Sequence, residues 1–322
     1  MGLKPISFVL ICLFTGWLSL AQDSIPEIAY AQFSEHKEVF LNRVTARLFY
    51  VNTSNSLELN DRDSDLSYKL KPNNQKRIGG SVAFRSIAIS YSFTPNFLLE
   101  NDDSKFLNLN FRNFFGKHWM QLISIYNEKG FSAINDDFNI YFPDFKSFKI
   151  GGATSYILNE NFSFRAITDQ NEKQLKSTGS FIPRIVYFYS KFQLNTEDVS
   201  NNNLYTFDIA FAPSYYYNFV PTKNMLISAG ASAGIGVNFS NTANESLTSL
   251  LTELNFRTSL TYDIENLYLG AHYNYLVLNH NSDRTTYIKD DIPYFKVFLG
   301  YRFKAPKKLV NKANVIDEKL GL

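Results

Sequence analysis

Along most of the chain, apolar residues alternate with polar or small ones. From Met225 to Phe239 the residues Ile227, Ala229, Ala231, Ala233, Ile235, Val237 and Phe239 share one face, while Ser228, Gly230, Ser232, Gly234, Gly236 and Asn238 share the other. Period two is the mark of a strand, and here it runs for about twice the usual strand length. A tilted strand crossing a bilayer needs about 9–11 residues in the hydrocarbon plus overhang. The same alternation predicts strands at Val44–Val51, Lys76–Phe84, Ser86–Phe93, Lys105–Asn113, Trp119–Tyr126, Phe148–Leu158 and Phe162–Thr168. It continues at Phe181–Phe192, Tyr205–Phe219, Leu250–Tyr262, Leu267–Val277 and Phe295–Phe303, whereas Leu57–Leu70 is broken by an acidic run at 60–65 that reads as a solvated loop.

Short turns are expected at Phe115-Gly116-Lys117, Asn159-Glu160-Asn161, 221–224 and 263–266, and longer polar loops at 127–145, 169–180, 193–203, 240–248 and 280–291. Short turns on one side and long loops on the other describe a membrane barrel. The count comes to 12 or 13 strands, and a single-chain bacterial barrel has an even number. Either one element between 145 and 192 is therefore not a wall strand, or one near the N-terminus does not span. The predicted fold is all-β, a transmembrane antiparallel β-barrel of about 12 strands (10–14 possible) over residues 44–304.

The ends suggest a compartment. Lys4, the apolar run Ile6–Leu20 and the small residues before Gln22 have the order of a secretory signal peptide over 1–21. Cys12 lies inside it, preceded by Ile11 where lipid attachment would want a small residue. Residues 22–43 are expected to form a periplasmic lead-in, and 305–322, basic at first, a periplasmic C-terminal tail. In the last strand Phe295, Val297, Leu299, Tyr301 and Phe303 all face outward. Alternation ending on an aromatic resembles the signal outer-membrane barrels present to the barrel assembly machinery, here followed by a tail. The expected location is the outer membrane of a Gram-negative envelope, with outer-membrane lipid and that machinery as partners and a monomeric state.

Composition agrees. Aromatics reach 16%, with 30 Phe and 20 Tyr, yet mean hydropathy is −0.20, as expected when lipid-facing and lumen-facing residues alternate. Beyond residue 21 no cysteine remains, so disulfides cannot hold this chain together. With 32 basic and 30 acidic residues there is no basic field for nucleic acid, and no cofactor or metal site is expected.

At 174–181 (QLKSTGSF), preceded by 161–166 (NFSFRA), and again at Lys71-Pro72-Asn73-Asn74, the sequence resembles an uncharacterised barrel family of Bacteroidota-type bacteria, a domain of unknown function. The likeness covers roughly residues 40–304 and implies an outer-membrane barrel of unassigned activity, with no catalytic residues to carry over.

Candidate chemistry is sparse. The glycines at 230, 234 and 236 lie inside unbroken alternation with no helix behind them, so they do not form a phosphate loop; they are expected to let bulky lumen residues such as Tyr216 lie against the wall. His272, inward with Gly270 and Asn274, and Ser259 on the preceding strand have the residue types of a hydrolytic pair, but they face the lumen rather than lipid. The lumen-facing polar candidates are Arg165, Asp208, Glu253, Arg257, His272, Asn274, Lys296 and Arg302. Charges there must be paired or wetted, which fits either an ion-pair network bridging a narrow lumen or a channel lined with mixed charge. The expected role is structural, passive transport or surface binding. Alternatives are a barrel enzyme hydrolysing envelope lipid, and a soluble β-sandwich or lipocalin-like binder, the latter opposed by the apolar outward faces.

Overall fold

A computed structural model describes residues 32–53, 56–61, 66–73, 75–99, 104–196, 199–242, 246–281 and 286–320. The described residues begin with β1 (Gln32–Phe33), β2 (Lys37–Val39), β3 (Arg43–Thr53), β4 (Ser56–Asp61), β5 (Leu66–Pro72), β6 (Lys76–Phe84) and β7 (Ile87–Phe93). There follow β8 (Lys105–Phe115), β9 (Trp119–Ile134), β10 (Asn139–Tyr156), a short helix (Arg165–Thr168), β11 (Glu172–Gln174), β12 (Thr178–Ile182) and β13 (Arg184–Thr196). The last third holds β14 (Val199–Phe211), β15 (Ser214–Thr222), β16 (Met225–Asn241), β17 (Ser246–Ile264), β18 (Leu267–Asn281), β19 (Thr286–Lys304) and a helix (Lys307–Leu320).

Among the described residues, β3, β6, β7, β8, β9, β10, β13, β14, β16, β17, β18 and β19 join edge to edge into a twelve-stranded antiparallel ring, closed by β19 pairing with β3. Proline cannot donate to a ladder. Pro183 and Pro213 accordingly split two wall strands into β12 with β13 and β14 with β15, while Tyr156 N donates to Pro183 O (3.0 Å) and Ala212 N to Arg184 O (2.9 Å) across the breaks.

Outside, Leu48, Ile89, Phe211, Ile235, Leu254 and Leu299 are exposed and belong to an apolar belt spread over the ring's strands. Their alternating neighbours are inward and mostly small or polar. A belt of that extent suits hydrocarbon and not water, and among the described residues no helix is long and apolar enough to cross a membrane. The fold is a transmembrane antiparallel β-barrel, as the alternation predicts. On β16, Ala229, Ala231, Ala233, Ile235, Val237 and Phe239 face out, while Ser228, Gly230, Ser232 and Asn238 are buried. The glycine turn is also where it was expected, with Gly116 at φ +58°.

The long loops differ from expectation. The stretch 127–145 is mostly strand, with β9 and β10 paired out to Ile134 and Asn139. Much of 193–203, 240–248 and 280–291 is likewise strand. Polar composition marks these residues as outside hydrocarbon without preventing them from continuing the ladder as protruding hairpins. The broken Leu57–Leu70 segment forms the β4–β5 hairpin, its tip at 62–65 lying outside the described residues. β4 pairs with β19 and β5 with β9, so above the short β7–β8 hairpin these two strands complete a narrower wall. Leu57, Leu70, Phe131, Phe145 and Ile288 pack together inside that upper section.

The predicted strand Phe162–Thr168 is not in the wall, and Asn159–Asn161 does not connect two wall strands. Residues 157–177 instead fold back into the barrel end that carries residues 43 and 304, forming the short helix and β11, which joins β2 and β1 in a small three-stranded sheet. Removing this element from the wall count brings it to an even number.

Candidate functional site

The inward segment stoppers the barrel. Ile157, Phe162, Phe164 and Ile167 pack on the wall residues Phe114, Met120, Ile182 and Tyr216. Burying each such side chain contributes roughly 1.5–3 kcal/mol, so the apolar part alone fastens the stopper. Its polar groups are matched to the wall around the circumference. Asn218 Nδ2 donates to Ser163 O (3.0 Å) and Gln174 Oε1 (3.1 Å). Gln170 Nε2 donates to Thr261 Oγ1 (3.3 Å), Arg47 Nη1 to Thr168 O (2.7 Å) and Arg302 Nε to Gln170 O (2.8 Å). Outside the membrane-spanning part, Lys176 pairs with Glu35 and joins lead-in to stopper; that hydrogen bond and charge hold the Glu35 carboxyl below its ordinary range. Lys117 does the same for Glu160 at the neighbouring turn (2.8 Å). Half-buried Glu38, opposite Lys173 in the small sheet, is instead pushed up, chiefly by loss of solvent.

Above the stopper lies a cavity of about 270 Å³. Thr168 and Asp169 of the stopper form its floor, the ring wall its sides, and the apolar cluster of the narrowed upper section lies beyond it. Seven basic side chains line it against three acidic ones. Arg112 pairs with Asp169 (2.5 Å), Arg184 with Glu253, and Lys149 lies 3.7 Å from Asp290 just above. The other four basic groups are Arg47, Arg77, Arg257 and Lys296, and the third acidic group, Glu128, is buried in the same lining. Arg77, 2% exposed, lies face-on over Phe106 (3.8 Å) with its Nε and Nη1 unpartnered. Lys296 sits against the rings of Phe49 (5.1 Å) and Tyr294 (6.0 Å), and Arg257 Nε donates to Asn274 Oδ1 (3.3 Å).

Of the eight predicted lumen residues, Glu253, Arg257, His272, Asn274 and Lys296 meet around this cavity. Asp208 is buried but elsewhere, accepting from Asn238 Nδ2 (2.6 Å). Arg165 belongs to the stopper and not to a wall strand: it pairs with Glu172 (3.3 Å) and lies over Phe114 (4.5 Å). Arg302 clamps the stopper, paired with Asp263 (2.6 Å) and held between Phe40 and Tyr268. Ser259 and His272 are cross-strand partners, yet Ser259 Oγ and His272 Nε2 are both without hydrogen-bond partners. His272 packs edge-on to Phe298 (4.8 Å), as a lumen histidine filling space would. Alternation could have supplied Arg47, Arg77 and Arg112 as well; it marks all three as inward, but only with the topology known do they converge. Among the described residues no group of acidic, histidine or cysteine side chains could hold a metal ion.

The profile of the family described as "Domain of unknown function (DUF4421)" matches residues 35–303. The chain belongs to this family. The DUF4421 match takes in the ring, the stopper and nearly all of the last wall strand. No curated protein matches the sequence significantly. Among solved structures, the DUF4421 barrel is similar to the translocator domain of the autotransporter NalP from Neisseria meningitidis, at 11% identity and a TM-score of 0.39, covering 92% of this chain and 97% of that one. It is also similar to an outer membrane channel from Pseudomonas putida F1, at 8% identity and a TM-score of 0.39, covering 87% and 100%. A third is the outer membrane protein OprG from Pseudomonas aeruginosa, at 11% identity and a TM-score of 0.27, covering 82% and 97%.

Proposed function

We propose that this DUF4421 chain is a monomeric barrel of a Gram-negative outer membrane, of the Bacteroidota type, whose lumen is a closed solute chamber in a passive-transport or binding protein. The observation that carries this reading is a cavity lined by charged side chains and held between a tightly fastened stopper and an apolar upper section. An ion-pair network serving structure alone would balance its charges, and this one does not. In this reading residues 1–21 are removed on secretion, the lead-in and tail lie in the periplasm, and the outward aromatics of β19 are read by the barrel assembly machinery.

Planar-bilayer recording tests the closure. The wild-type protein is expected to conduct little, and a variant with residues 161–176 replaced by a short Gly-Ser link to pass stable current. A large, steady conductance from the intact protein would sink the closed-chamber reading.

A further inference from the structure

We infer that the chamber is a binding site for a small polyvalent oxyanion of phosphate or polycarboxylate type; this deepens the closed-chamber reading and rests on it for the enclosure. Basic side chains exceed acidic ones by four around the cavity, or by three once Asp290 is set against Lys149. An unbalanced buried charge costs several kcal/mol unless it is neutralised, and an anion bound among these groups would neutralise it.

The donors also have the right form. Arg77 is fixed in orientation by Phe106, and its Nε and Nη1 are buried without partners; the two nitrogens lie on different edges of the planar guanidinium, so each can meet one oxygen of a carboxylate or phosphate. Lys296 supplies a point charge held between two rings. Arg112 and Arg184 are committed to Asp169 and Glu253, and Arg47 to Thr168 O and Ser81 Oγ, which leaves Arg77, Arg257 and Lys296 for a ligand, with Glu128 the remaining carboxylate of the lining. The volume of about 270 Å³ lies just below the roughly 300–1,000 Å³ of small-molecule sites, which favours a compact ligand over an oligosaccharide or a lipid.

The test is isothermal titration of the full chain in detergent micelles at low salt with inorganic phosphate, pyrophosphate and citrate. Saturable binding of at least one of them, at one site per chain, is expected. That affinity should fall at least tenfold in Arg77→Met and in Lys296→Met, remain unchanged in Lys117→Ala at the exposed turn beside Glu160, and be partly kept in Arg77→Lys. Heat-modifiable migration on gels establishes that each variant is folded, and Arg257→Gln replaces Arg77→Met if that variant is not. Absence of binding to all three anions, or affinity unaltered in the folded chamber variants, would overturn the inference. Binding in micelles does not depend on conductance. An open wild-type pore would remove the closed-chamber reading and leave the anion site standing, and absent binding would do the reverse.

Discussion

Replacing Gly230 by alanine should cost far more than one methyl group suggests, because the added Cβ would lie 2.1 Å from Cδ1 of Tyr216, with Cε1 and Cγ at 2.5 and 2.6 Å. Restoring ordinary carbon contact at about 3.5 Å means moving the ring by more than an ångström. Tyr216 is 4% exposed and stands edge-on against Phe164 of the stopper at 5.2 Å, so it has no free direction. Overpacking costs about 1–3 kcal/mol, and this geometry belongs at the upper end. Tyr216→Ala alone removes an aromatic ring and should cost about 3–5 kcal/mol. In that background Gly230→Ala should cost nothing, or stabilise by about 0.4–1 kcal/mol by restricting the unfolded chain. The double-mutant cycle should therefore show a coupling of about 3 kcal/mol. Urea unfolding in lipid vesicles, followed through Trp119, measures all four corners. If Gly230→Ala costs the same in both backgrounds to within about 0.5 kcal/mol, the glycine is not there to admit the ring.

Arg302→Met should destabilise the barrel by about 3–5 kcal/mol, because it leaves the buried Asp263 carboxylate uncompensated; combining it with Asp263→Asn should recover much of the loss in the same unfolding assay. Glu38 should make the lead-in sheet more stable as pH falls. Its folded pKa is raised, so between the unfolded and folded values the folded state binds more protons and stability declines as pH rises through that window. Hydrogen exchange of the β1–β2 amides should show Glu38→Gln better protected than wild type at neutral pH, with the difference closing below the folded pKa; equal protection at every pH would refute it.

Period two made the wall legible because each wall strand shows one face to lipid and one to the lumen. It failed at Phe162–Thr168 for a definite reason. There Phe162, Ser163, Phe164, Ala166, Ile167 and Thr168 are all buried, so the alternation of chemistry does not correspond to two environments. The odd strand count pointed to one element too many, either between 145 and 192 or near the N-terminus, since a closed antiparallel ring with both ends on one side cannot hold thirteen. Arg302 was legible as inward but not as a stopper clamp, because alternation gives the face and says nothing of height along the barrel; Arg165 was misplaced with the rest of Phe162–Thr168. The polar hairpins were misread as loops for the complementary reason: leaving the hydrocarbon changes composition, while the backbone ladder continues.

Height is what the glycines report once the structure is known. An eight-stranded barrel is just filled by its own side chains, and diameter grows with strand number, so a twelve-stranded ring has space to fill. Gly230 faces Tyr216, Gly300 faces Tyr268 and Gly79 faces Phe49; in each pair one strand gives up a side chain so that a neighbour's ring can lie flat along the wall. Tyr216 packs with the stopper residue Phe164, and Tyr268 takes the stopper clamp Arg302 over its ring. Two of these pairs thus fill the barrel where it is shut. Phe49 lines the cavity beside Lys296, where the ring supports a cation and leaves the central space open. An aromatic spent on filling and an aromatic spent on steadying a charge look alike in the sequence, and the difference between them separates a barrel that is merely solid from one that keeps a charged chamber.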